Sequence, residues 1–148
     1  MTKEWGPLTW RLLHCISLKV DETYFDKNIE TVLQVIVLIL TGLPCPDCSK
    51  HSSTIFANNR KKIKTKKDLQ NFLHYLNNKV NKKLKKKEED ISILEKYKEY
   101  DIKRTIEKWS LVYGPPKNIP KLMANNMHIT IIRNKLIIYF INNIKYYI

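Results

Sequence analysis

Between positions 32 and 40 the chain reads VLQVIVLIL, nine residues of which only Gln34 is polar. A helix over this run is apolar on every side, so it has to be buried on more than one face. Its β-branched residues also permit a strand. The length of the segment favours a helix instead, starting at Asp26 and stopped by Gly42 and Pro44. Two faces to cover imply a helix-bundle core on one side and a dimer interface on the other.

The flanking sequence supplies the other members of such a bundle. Pro7 suits a first helical position, and Trp10, Leu13, Ile16 and Val20 recur at helical spacing, predicting a helix over 7–20. Pro44 and Pro46 suit the first turn of a further helix that continues through 48–56. After a basic connector, Thr65 and Asp68 have the form of a capping box. Leu69, Phe72, Leu73, Leu76, Val80 and Leu84 then mark an amphipathic helix. Its opposite stripe is His74, Asn78, Asn81 and Lys85; asparagine is a poor helix former, so two on one stripe require a reason. A fifth helix is expected over 88–113, before Gly114. Beyond it, MHITIIRNKLIIYFINN alternates around RNK, and 114–148 is taken as an extension holding a small β-hairpin. The fold class is therefore all-α, a four-helix bundle with a short fifth helix, over 1–113, followed by that extension.

Charge narrows the partners. The formal net charge of +13 on 148 residues would ordinarily suggest nucleic acid. Here Lys, Asn, Ile and Tyr abound while Gly is scarce, as an AT-rich coding sequence produces, so a solvated lysine surface is expected instead. The opening MTKEWGPLTW has no apolar core of a secretory signal. The apolar late segment is interrupted by Arg133, Asn134 and Lys135, short of the roughly 18 unbroken residues of a membrane span, so no span is expected.

The chemistry lies in LPCPDCSKH at 43–51. Cys45 and Cys48 at a helix N-terminus meet a dipole that stabilises thiolate, and their spacing allows a small-ring disulfide. That favours redox exchange with a lowered thiol pKa. A zinc site using Cys45, Cys48, His51 and either His14 or His74 competes with it, as does a loop without function. In the zinc reading the chain is a basic module contacting nucleic acid through 61–67 and 82–87. Cys15 is expected to be a buried free thiol.

Three motifs in order decide between these. GPLTWRLLH at 6–14, LPCPDCSKH at 43–51 and FLHYLNNKVNKKLKK at 72–86 resemble the FAD-linked sulfhydryl oxidases of the Erv/ALR type, most of all the short forms of large DNA viruses. The likeness covers 5–87 and weakens through ISILEKYKEY. It implies a small helical bundle, usually dimeric, holding FAD at its mouth. It also implies electron flow from a dithiol or CxxC protein to the Cys45–Cys48 disulfide, to flavin and to O2, giving H2O2, with no metal and no nucleic acid. In that resemblance Cys45 exchanges with substrate and Cys48 lies beside the isoalloxazine. Gly6, Trp10 and His14 line the cofactor, Asn78 and Asn81 hydrogen-bond it, and Lys82 and Lys85 lie near its phosphates. The family commonly has His-Asn where this chain has Asn77-Asn78, and a second cysteine pair is absent from both tails. If the protein is viral, the likeness implies the host cytoplasm or the virion.

Overall fold

The computed structural model describes residues 5–112 and 123–148, with side chains in the last segment from residue 127. Every regular element among them is helical: α1 Trp5–Lys19, α2 Glu22–Lys27, α3 Ile29–Thr41, α4 Pro46–Asn59, α5 Lys66–Lys83, α6 Ile93–Tyr97, α7 Ile102–Val112 and α8 Met123–Asn143. Short 3-10 turns follow α4 and α8. α1 is flanked by α5, α6 and α7, α4 lies between α3 and α5, and α8 crosses α3 and α7. The border expected between 113 and 114 lies outside the described residues.

The apolar run is α3, with Val32, Leu33, Val35, Ile36, Ile39 and Leu40 buried and Val37 and Leu38 half-buried against the core. Part of its surplus apolar surface is covered within the chain by α8. The helix does not start at Asp26. Asp21 caps α2 by accepting the Tyr24 N–H at 2.9 Å, and Asn28 separates α2 from α3. The Asn28 side chain donates to Tyr24 O at 3.0 Å, the local competition for backbone groups by which asparagine ends helices.

α5 begins as its sequence requires. Thr65 accepts the Asp68 N–H at 3.0 Å and Asp68 accepts the Thr65 N–H at 3.1 Å, a reciprocal cap that contributes on the order of 1 kcal/mol. The expected fifth helix is instead two, α6 and α7. The bend lets Tyr97 reach His14 while Ile102, Thr105 and Trp109 are buried by α7.

The small β-hairpin expected in the C-terminal extension is not there; that segment is α8. Its buried residues Ile129, Ile132, Leu136 and Phe140 fall at helical intervals, and Ile131 and Ile138 are exposed. Isoleucine-rich alternation carries a strand preference that packing on α3 and α7 overrides. The end of the chain is tied to the α1–α2 corner. Tyr139 shares hydrogen bonds with the hydroxyls of Tyr24 at 3.0 Å and Tyr147 at 2.7 Å, and the Asp21 N–H donates to Tyr146 O at 2.6 Å. Among the described residues no helix is long and apolar enough to cross a membrane.

Candidate active site

The cysteine pair is set by the start of α4. Cys45 occupies the N-cap with extended backbone and Pro46 takes the first helical position, where its missing N–H costs nothing. Cys45 Sγ accepts the Cys48 N–H at 3.3 Å, and the Ser49 hydroxyl donates to Leu43 O at 3.2 Å, fastening the preceding loop to the helix. Both cysteines are half-buried free thiols. A sulfur at the cap lies where the unpaired N–H groups of the first turn favour an anion. The lowered thiol pKa that this position suggests is not what Cys48 shows. Its thiol is pushed up to about 11, by burial first and then by the hydrogen bond and charge of Cys45, with Lys83 opposing. Loss of solvent around the second sulfur outweighs the helix dipole there.

One turn on, His51 is half-buried with Nε2 lacking a hydrogen-bond partner, and burial followed by the charges of Lys83 and Lys79 lowers its pKa. Those lysines mark the side of α5 that α4 meets. Among the described residues no group of three or more His, Cys, Asp or Glu is placed to hold a metal ion, so the zinc alternative lacks its ligand set. His74 instead bonds Glu89 O at 2.8 Å and Asn78 at 3.2 Å.

α5 also lines a cavity of about 290 Å³ against α1 and α6. Gly6, Pro7, Trp10 and Arg11 of α1, Asn77, Val80, Asn81 and Leu84, and Lys86, Glu89, Lys96, Tyr97 and Tyr100 form its wall. Its volume matches the lower end of small-molecule clefts. His14, fully buried one turn beyond Trp10, stacks on Tyr97 with ring centroids 4.7 Å apart and meets Asn77 Nδ2 through Nε2 at 3.1 Å. Burial, then the charge of His74, lowers its pKa to about 4, so it is neutral near pH 7. Nδ1 is buried without a partner. The Arg11 guanidinium lies 4.0 Å above the Tyr100 ring, leaving a fixed positive charge at the rim.

Of the residues singled out in the sequence, the structure brings Gly6, Trp10 and Asn81 onto this wall, with His14 behind Trp10 and Tyr97. Asn78 turns elsewhere: its amide donates to Glu89 O and accepts the Glu89 N–H, both at 2.8 Å, clasping the loop after α5. Lys82 and Lys85 are exposed beyond the lining, with Lys85 at positive φ of 57° where α5 ends. Cys45 and Cys48 are not among the described wall residues. Sequence reasoning noted Asn77 only as a departure from the family's His-Asn, and passed over Arg11, Lys86, Lys96, Tyr97 and Tyr100. The aromatic pair in EKYKEY was a signal that could have found Tyr97 and Tyr100.

The wall fits a flavin nucleotide on its own chemistry. Aromatic and aliphatic faces suit a planar ring, amides supply hydrogen bonds, and cations at the rim suit phosphates. Gly6 leaves open the space that a Cβ would occupy.

Comparison with known proteins gives a consistent result. The model of the Erv1 / Alr family matches residues 7–103. The chain is similar to an FAD-linked sulfhydryl oxidase of African swine fever virus, 31% identical over 103 residues that span 70% of this chain and 87% of the relative. It is also similar to a probable FAD-linked sulfhydryl oxidase of Variola virus, 29% identical over 73 residues, 49% of this chain and 70% of that one. A Vaccinia virus counterpart is 27% identical over the same shares. No solved structure matches.

Proposed function

The chain belongs to the Erv1/Alr family, and from that premise we propose that it acts as an FAD-linked sulfhydryl oxidase with Cys45 and Cys48 as its redox pair. The observation that carries this reading is the shared use of α5. It packs on α4, whose first turn carries the cysteine pair and whose Cys48 feels the charge of Lys83, and it lines, with Trp10, a cavity whose chemistry suits a flavin.

In the oxidised pair, a substrate thiolate attacks Cys45 Sγ, the S–S bond breaks, and Cys48 leaves as thiolate. The second substrate thiolate then attacks the substrate sulfur of the mixed disulfide, releasing the substrate disulfide and Cys45. Two electrons now sit on the cysteine pair, and Cys48 is the sulfur that passes them on. Burial makes its thiolate hard to form, hence strongly nucleophilic once formed, and Lys83 offsets part of that cost. FAD, when bound, supplies the two-electron acceptor from which O2 is reduced to H2O2. Trp10, Tyr97 and Tyr100 would flank its rings, Asn81 would bond its polar edges, and Arg11, Lys86 and Lys96 would face its phosphates, with Lys82 and Lys85 adding charge at the same end of α5. The remaining apolar surface of α3 supports a homodimer, and the viral relatives support action in host cytosol or virion.

The test is the visible spectrum and oxygen consumption of the purified protein with dithiothreitol. A yellow protein that yields one H2O2 per disulfide, and is inactive as Cys45→Ser and Cys48→Ala, is expected. A colourless chain that takes up no added FAD would overturn the reading.

A further inference from the structure

The buried imidazole of His14 is held as if for a ligand. It is fully inaccessible, its ring stacks on Tyr97 and lies 6.1 Å from that of Trp10, and both aromatics reach the cavity wall. Asn77 also lines the cavity, and its Nδ2 lies 3.1 Å from His14 Nε2. An amide NH2 only donates, so Nε2 offers its lone pair and the neutral ring carries its proton on Nδ1. That N–H is buried and has no hydrogen-bond partner. Buried donors are paired in nearly all folded chains, and an unpaired one beside a cavity signals an acceptor still to arrive. The adjacent amide does not substitute for Asn77, because Asn78 is fully engaged with the Glu89 backbone.

We propose that Asn77 is a positioning residue that sets the tautomer of His14, so that His14 presents Nδ1–H as a hydrogen-bond donor to an acceptor atom of bound FAD. This rests on the oxidase reading only for the identity of the ligand. An aspartate at 77 would accept rather than donate, drawing the proton to Nε2 and leaving Nδ1 bare. Alanine at 77 would leave the tautomer unset.

The experiment uses full-length protein with 15N-labelled histidine. Long-range 1H–15N correlation of the ligand-free chain is expected to show His14 protonated at Nδ1, switching to Nε2 in Asn77→Asp and to a mixture in Asn77→Ala. Adding FAD to the wild type is expected to move the Hδ1 resonance downfield. The dissociation constant for FAD, read from quenching of flavin fluorescence, should rise about tenfold in both variants, the loss of one hydrogen bond. Far-UV circular dichroism of the ligand-free variants checks the fold. A wild-type proton on Nε2, a tautomer indifferent to residue 77, or an Hδ1 resonance unmoved by bound FAD would each overturn the proposal. Failure of the wild type to take up FAD would instead remove the oxidase reading, and the ligand-free tautomer would still decide the part played by Asn77.

Discussion

Acidification should reveal His14 as a neutral buried group. In the unfolded chain its imidazole gains a proton below the ordinary value of 6.5; in the folded chain, burial and then the charge of His74 delay this to about 4. The folded-state value is depressed, so above pH 6.5 both states are neutral and nothing is lost. As pH falls from 6.5 to 4 the unfolded state alone takes up the proton, and stability declines. The gap between 6.5 and about 4, at 1.36 kcal/mol per pH unit, amounts to about 3 kcal/mol. His14→Phe keeps a ring against Tyr97 but cannot titrate. Urea unfolding of the ligand-free proteins at pH 7.5 and pH 4 should therefore show the wild type losing about 3 kcal/mol more than the variant over that interval. Comparing the two chains cancels the contributions of His51 and the carboxylates. Equal losses in both would refute the argument and mean that His14 is hydrated or paired in solution.

Three further outcomes follow from named contacts. Gly6→Val puts a branched side chain into the cavity wall, and equilibrium dialysis should give an FAD dissociation constant raised at least tenfold, which an unoccupied wall would not show. Asn78→Ala removes both hydrogen bonds to the Glu89 backbone, and denaturant titration should show a loss of about 1–3 kcal/mol in the ligand-free chain; an effect seen only when FAD is bound would mean that Asn78 serves the cofactor instead. Leu136→Ala should cost about 2–5 kcal/mol in thermal or urea unfolding and Ile138→Ala less than about 0.5, because a helix buries the first and exposes the second; similar costs for both would point to the strand register, in which they share a face.

The sequence by itself determined what short-range chemistry and periodicity can carry. The apolar run around Ile36 favoured a helix buried on more than one face, Thr65 and Asp68 fixed where α5 starts, and Cys45 with Pro46 placed the thiol pair at the start of a helix; the last two depend on residues within a turn of one another. Gly6, Trp10 and Asn81 were also legible, because three ordered motifs pointed to them and the fold gathers them on one wall. Only the tertiary structure decided the rest. Whether 127–143 forms a helix or a hairpin depended on the surfaces of α3 and α7, which reward burial of Ile129, Ile132, Leu136 and Phe140 together, and isoleucine's local preference could not report it. The same holds for the sign of the Cys48 perturbation, where burial and its neighbour outweigh the helix dipole. Asn77 and Asn78 are adjacent in sequence and alike in chemistry, yet one meets His14 and the other clasps Glu89. Successive residues on a helix point about 100° apart, so what each side chain meets is set by the elements brought alongside, α1 for one and the loop after α5 for the other.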